Sequence, residues 1–155
     1  MTTRSIALAL AFCAALPAAA ADSNFGIKAG VLNIDGDTGP ATQAGIVYTA
    51  DIWGMFGIEF DATTSVTKGE VSPLEYGVTQ FGAYGVFMTP GPIYVKAKAG
   101  FAYTDLDFPG AATSTDPAYG VGFGFEFFGV AMEVEYAQFQ ADGNDGEMAT
   151  LSIKF

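Results

Sequence analysis

The chain has 155 residues, half of them hydrophobic and 14% aromatic, with 20 glycines, no histidine and a formal charge of −11. That length is one domain's worth, and the acidity argues against nucleic acid, whose phosphates it would repel. With no histidine, and Cys13 as the only thiol, the usual base that activates a Ser or Cys nucleophile is absent.

The first stretch reads as an export signal. Arg4 precedes an apolar run from Ile6 to Leu16, followed by Pro17 and the small residues Ala18 to Ala21, the order of a cleavable leader. The run is shorter than the roughly 20 residues a helix needs to span a bilayer. Phe12, not a small residue, precedes Cys13, which does not suit lipidation there. We expect residues 1–21 to be removed and residues 22–155 to form one domain without thiols. Its five lysines face seventeen carboxylates, a charge of −12.

The remaining chain alternates with period two, the signature of strands. Asn24–Leu32 sets Phe25, Ile27, Ala29 and Val31 against Gly26, Lys28 and Gly30. A turn-rich segment, Asp35–Pro40, leads to a second strand over Thr42–Thr49, and Asp51–Gly54 leads to a third over Met55–Thr64. A polar connection, Ser65–Glu75, precedes a fourth strand, Tyr76–Met88, in which Phe81 and Phe87 fall out of phase with Val78, Tyr84 and Val86. That break predicts a bulge. After the turn Thr89–Pro92, a fifth strand over Ile93–Thr104 is followed by a long polar connection, Asp105–Pro117. Ala118–Phe127 and the segment from Val130 onward form the sixth and seventh strands around Phe128-Gly129. Asp142–Glu147 is the last connection, and Met148–Phe155 the eighth strand.

The fold class expected is all-β, an eight-stranded antiparallel up-and-down transmembrane β-barrel. Connections run alternately long and short, as in barrels with brief periplasmic turns and longer outer loops. With no apolar run of helix-spanning length after residue 21, a membrane crossing requires closed strands, because lipid leaves an open edge unsatisfied. The face carrying the lysines cannot meet hydrocarbon, since each lysine near the midplane would cost about 2–4 kcal/mol. The charges therefore point inward, and aromatic residues near strand ends (Tyr48, Trp53, Phe56, Phe127, Phe155, Tyr103, Tyr119) would form interfacial girdles.

Four segments carry a family resemblance: Tyr94–Phe101, Tyr119–Phe125, Met132–Tyr136 and Leu151–Phe155. From Asn24 to Phe155 the chain resembles the small eight-stranded outer-membrane barrels of the OmpA transmembrane domain and OmpX-like type. The resemblance implies a bacterial outer-membrane location and a monomer, with the carboxy-terminal residues Leu151, Ile153 and Phe155 acting as the signal to the barrel-assembly machinery. It implies little about activity, because this fold hosts adhesins, anchors, small channels and lipid-modifying enzymes.

The candidate site is a charge network in the barrel interior: Lys28, Glu59, Asp61, Lys96, Lys98, Glu126, Glu133, Glu135 and Lys154. An eight-stranded barrel has room only for side chains to fill it, so paired charges are expected, with a narrow polar pathway as the alternative. Glu133 and Glu135, roughly 6.7 Å apart along one strand face, have no substrate cleft to serve, and no catalytic residue, cofactor or metal ligand is assigned. Excess acid collects in the outer connections as Asp35, Asp37, Glu70, Glu75, Asp105, Asp107, Asp116, Asp142, Asp145 and Glu147, against Lys68 alone. These carboxylates are either a solvated surface or a place for Ca²⁺ or Mg²⁺ bridging to lipopolysaccharide phosphates. Expected partners are thus membrane lipid, lipopolysaccharide and the assembly machinery. The leading expectation is a structural or surface-interaction role through the acidic loops. A small passive channel for ions or solutes is the second, and a soluble periplasmic barrel with its faces inverted around an apolar ligand the third.

Overall fold

The computed structural model describes residues 22–34, 39–71, 74–107, 113–141 and 143–155. Residues 1–21, where the leader is expected, and the carboxylates Asp35, Asp37 and Asp142 lie outside the described residues. Nine strands follow one another: β1 (Asp22–Ile34), β2 (Ala41–Asp51), β3 (Phe56–Thr67), β4 (Gly69–Val71), β5 (Leu74–Met88), β6 (Ile93–Asp107), β7 (Ser114–Phe127), β8 (Val130–Ala141) and β9 (Asn144–Lys154). All but the short β4 are staves of one closed antiparallel barrel, sealed where β9 pairs with β1 and where β3 pairs with β5. Closure leaves no edge strand among the staves, the condition for crossing lipid with strands.

Following paired residues around the wall gives the stagger. Asn24 leads through Thr49, Glu59, Tyr84, Gly100, Ala118, Phe139 and Gly146 back to β1 at Ile34, ten residues beyond the start. Such a shear requires strands tilted to the barrel axis. It also brings residues from different rows of the ladder to one level of the lumen.

Alternation sorts the side chains. Phe25, Ile27, Val31, Val95, Phe101, Val121, Phe123, Phe125, Val134 and Leu151 are exposed on the outside, while Lys28, Lys96, Lys98, Glu133 and Lys154 are buried within. A soluble monomer rarely exposes so large a contiguous apolar surface, and the inverted soluble barrel is therefore overturned.

Two expectations about the chain change. The fourth strand has no bulge against either neighbour. Val78, Tyr84 and Val86 are buried in the lumen, and Phe81 and Phe87 take the alternate, outward positions, so the apparent break is apolar residues on both faces of one regular strand. The register shift between Thr42 and Gln43 lies instead in the β2–β3 pairing. The long polar connections are also mostly ladder: β3, β4 and β5 occupy much of Ser65–Glu75, β6 and β7 extend into Asp105–Pro117, and β9 begins at Asn144. Strands of 15 residues in β5 and β6 exceed the 9–11 or so that cross a bilayer. Beyond the membrane the outer face meets water instead of lipid and the hydrophobic alternation fades, yet the backbone groups still pair.

At the loop end, the β1–β2 connection and β4 are tied by Gly39 and Glu70, which exchange backbone hydrogen bonds of 2.9 and 3.2 Å. The Tyr76 hydroxyl donates to the carbonyls of Gly39 (3.1 Å) and Leu32 (3.4 Å). Beneath this tie lies an apolar layer that includes Leu32, Ile34, Tyr76, Val78, Phe139 and Met148.

Candidate functional site in the barrel interior

Below the apolar layer, towards the short-turn end, four lysines and four carboxylates fill the lumen. Their placement follows the ring of staves. Glu59 and Asp61 project from β3, Glu133 and Glu135 from β8 on the opposite wall; Lys96 and Lys98 come from β6, and Lys28 and Lys154 from β1 and β9 facing it. Acid and base thus alternate around the four walls, and every ammonium meets carboxylates from both acidic sides.

The contacts form one continuous network. Lys96 Nζ lies 2.9 Å from Glu59 Oε2 and also contacts Glu133 and Glu135. Lys98 Nζ reaches Glu135 Oε1 at 2.7 Å, and Glu59 Oε1 and Asp61 Oδ2 at 3.2 Å each. Lys28 Nζ bridges Asp61 Oδ2 (2.9 Å) and Glu135 Oε1 (3.3 Å). Lys154 Nζ bridges Glu59 Oε2 (3.2 Å) and Glu133 Oε2 (3.1 Å). Lys96 and Glu59 are 0% exposed. Isolated buried charges would be prohibitively costly, and pairing is what makes such a core tolerable, although Asp61 Oδ1 has no hydrogen-bond partner among the described residues.

Neutral groups complete it. Tyr94 donates its hydroxyl to Glu133 Oε2 at 3.1 Å, Thr49 donates to Glu59 Oε2 at 3.1 Å, and the Tyr84 ring lies under Lys98. These three were not among the expected site residues. Tyr94 had a signal, since it stands two positions before Lys96 on the same strand face. Tyr84 was hidden by the uncertain phase of its strand. The glycines of β7 make room for the long side chains of β6 and β8: a Cβ on Gly122 would lie 3.5 Å from Lys96 Cε and 3.6 Å from Glu133 Cγ.

Glu126 does not join the network. Its position on β7 faces the lumen side of the alternation, but it sits one pair above the turn, opposite Ala131, and is exposed at the mouth. It lines a shallow vestibule of about 220 Å³ with Asp51, Tyr94 and Lys154. Removing it leaves four cations against four anions. Glu59, Glu133 and Glu135 bring carboxylate oxygens within 4.8 Å of one another, an arrangement that could hold a metal ion, but Lys96 already contacts all three.

The carboxy-terminal residues close the wall. Leu151 and Ile153 point outward, and Phe155 exchanges backbone hydrogen bonds with Phe25, 3.0 Å from the Phe25 amide to its carbonyl and 2.8 Å in return. The two rings meet edge to face with centroids 6.1 Å apart.

A closed barrel with an apolar exterior and a charge-filled interior defines a transmembrane β-barrel of the bacterial outer membrane. The chain belongs to the outer membrane protein beta-barrel domain family, which it matches over residues 5–155. No curated protein matches it in sequence. In structure it is similar to Neisserial surface protein A (TM-score 0.59, 10% identity, covering 85% of this chain and 94% of that one). It is similar as well to Ail, the attachment invasion locus protein of Yersinia pestis, solved with the heparin analogue sucrose octasulfate (0.57, 15%, 85% and 94%). A third neighbour is the outer membrane enzyme PagL (0.57, 16%, 85% and 98%). At these identities the likeness shows the fold, and neighbours with such different roles show that the fold does not set the activity.

Proposed function

We propose that this protein is a closed, non-conducting outer-membrane scaffold whose interactions are made at its acidic outer end. The observation that carries the reading is the filling of the lumen by two stacked layers, the charge network below and the apolar layer of Leu32, Tyr76, Phe139 and Met148 above. A pathway for ions would have to open both. This packing speaks against the passive channel.

At the outer end Glu70, Glu75, Asp107, Asp145 and Glu147 are exposed. Lys68 is the one lysine outside the lumen, and it pairs with Asp107 at 3.1 Å. Such a surface does not favour a sulfated polyanion of the kind bound by Ail. It favours cationic partners, or lipopolysaccharide phosphates reached through divalent cations. Leu151, Ile153 and Phe155 serve the assembly machinery as the carboxy-terminal signal. With no histidine in the chain, we assign no catalytic role.

Planar-bilayer recording with the purified barrel, joined to lipopolysaccharide binding by nanodisc-embedded protein with Mg²⁺ or with a chelator, tests this. Silent bilayers and Mg²⁺-dependent binding are expected. Stepwise conductance would overturn the closed scaffold, and binding indifferent to chelator would overturn the divalent bridge.

A further inference from the structure

The lipid-facing wall is indented where β2, β3 and β5 run side by side. Ala62 stands in one ladder row between Ile46 and Phe81, and in the next row towards the outer end Ala44, Thr64 and Thr79 are neighbours. These residues leave an apolar groove of about 250 Å³ between the larger side chains of Ile46 and Phe81. Phe81 lies beside Tyr103, ring centroids 6.3 Å apart, and Tyr103 is the last aromatic residue of β6 before Asp105 and Asp107. The groove therefore ends at the outer margin of the apolar band.

A polar cleft of about 440 Å³ continues it outward, sharing Thr64 and Thr79 with the groove and lined further by Lys68, Asp105 and Asp107. Lys68 Nζ lies 3.1 Å from Asp107 Oδ2, the two side chains 49% and 79% exposed. So open an ion pair contributes little and yields to a better-placed partner. Gly77 floors the cleft between them: a Cβ there would lie 3.6 Å from Asp107 Cβ and 4.0 Å from Lys68 Cε, so a side chain would begin to fill the space. The hydroxyls of Thr64 and Thr79 are 3.1 Å apart. Their mutual hydrogen bond uses one hydroxyl hydrogen and leaves the other to donate where groove and cleft meet.

We propose that this wall binds one phospholipid with a phosphoethanolamine headgroup, an acyl chain in the groove beside Ala44 and Ala62 and the headgroup in the cleft of Lys68, Asp105 and Asp107. Acyl chains touch the whole apolar exterior, but here an apolar slot opens onto fixed charges of both signs. Lys68, the only lysine outside the lumen, and the remaining threonine hydrogen suit the phosphate. The two carboxylates suit the ammonium, which has N–H groups for both. A headgroup carrying phosphate alone would set its charge against both carboxylates, and a trimethylated ammonium has no N–H to donate. The site goes beyond the acidic surface proposed above, because it needs no divalent cation.

The test takes the purified barrel, stripped of lipid in detergent, and measures lipid retention by native mass spectrometry with equimolar phosphatidylethanolamine, phosphatidylglycerol and phosphatidylcholine of matched chains. One phosphatidylethanolamine should be retained per barrel, about tenfold over either competitor, as one charge-assisted hydrogen bond would give, and equally with or without chelator. Lys68→Met should cut that retention by about the same factor, and Ala62→Phe, which fills the groove from the lipid side, should abolish it. Should Ala62→Phe fail to fold, Ala44→Leu fills the same groove. Equal retention of the three lipids, or full retention by the groove variant, would overturn the proposal. Displacement of the phospholipid by equimolar lipopolysaccharide in chelator would assign the wall to a glycolipid and overturn it equally.

Discussion

The ammonium of Lys98 stands over the ring of Tyr84, 4.0 Å from its centroid. Lys98 comes from β6 and Tyr84 from β5, side by side in the wall, and the ring supplies the one face of the ammonium that Glu59, Asp61 and Glu135 do not. A desolvated cation over an aromatic face is worth about 2 kcal/mol. Tyr84→Leu should lower unfolding stability in vesicles by about that amount, and Tyr84→Phe, which keeps the ring, should retain most of it. Equal losses in the two variants, read from urea titrations, would assign the effect to the hydroxyl.

Lys96 is the most connected cation, touching carboxylates from both acidic walls. Lys96→Met removes one charge from a balanced set and leaves Glu59, Glu133 and Glu135 short of a partner. Breaking a buried pair in this way costs about 3–5 kcal/mol. Adding Glu59→Gln should recover part of the loss, a coupling that a double-mutant cycle measures directly. Additive losses would mean that the network is not a unit.

Replacing Lys96 and Lys98 together with Met separates the two layers of the lumen. The charged layer is then disrupted, but Leu32, Tyr76, Phe139 and Met148 still fill the outer half. Bilayer recordings of a variant that still resists SDS until boiled should remain silent. A conductance increase would show that the lysines alone close the pathway.

Gly100 faces the lumen where β6 passes β5. A Cβ there would lie 2.7 Å from Tyr84 Cα, which is backbone and cannot turn aside. Gly100→Ala should therefore destabilise the barrel by about 1–3 kcal/mol through overpacking. Thermal shift of the SDS-resistant band is a sufficient readout, with an unchanged transition as the contrary result.

Phe155 has two separable roles. Its backbone closes β9 on β1 through two hydrogen bonds with Phe25, each worth about 1 kcal/mol net, and its ring belongs to the proposed assembly signal. Deleting the residue should weaken the purified barrel, whereas Phe155→Ala keeps the backbone pair. The alanine variant should fold nearly normally from denaturant into detergent, yet reach the outer membrane in cells at a much lower level. Normal cellular levels of Phe155→Ala would remove the ring from the signal.

The staves were legible in the residues because period two survives wherever one face meets lipid and the other does not. Val130, Met132, Val134 and Tyr136 against Ala131, Glu133, Glu135 and Ala137 place themselves without any knowledge of their neighbours. The pattern failed where its physical cause fails. In Tyr76–Met88 large apolar residues stand on both faces, because Tyr84 and Val86 fill the lumen while Phe81 and Phe87 meet lipid. Past the membrane, as in Ser65–Glu75, the apolar residues Val66, Val71 and Leu74 fall out of period two, and no alternation marks the ladder.

By itself the sequence determined that the charges face inward, since the energy of a lysine in hydrocarbon allows no other choice, and that the strands close. Only the tertiary structure decided which charges meet. The order of the eight staves sets β3 against β8 and β6 against the β1–β9 seam, and a stagger of ten residues sets the heights of their side chains, so Lys28 finds Asp61 and Glu135 from distant parts of the chain. The same geometry leaves Glu126 at the mouth. Alternation along a strand fixes the face of a side chain, but its height in the lumen and its partners across it come from shear and tilt, which exist only once the barrel has closed.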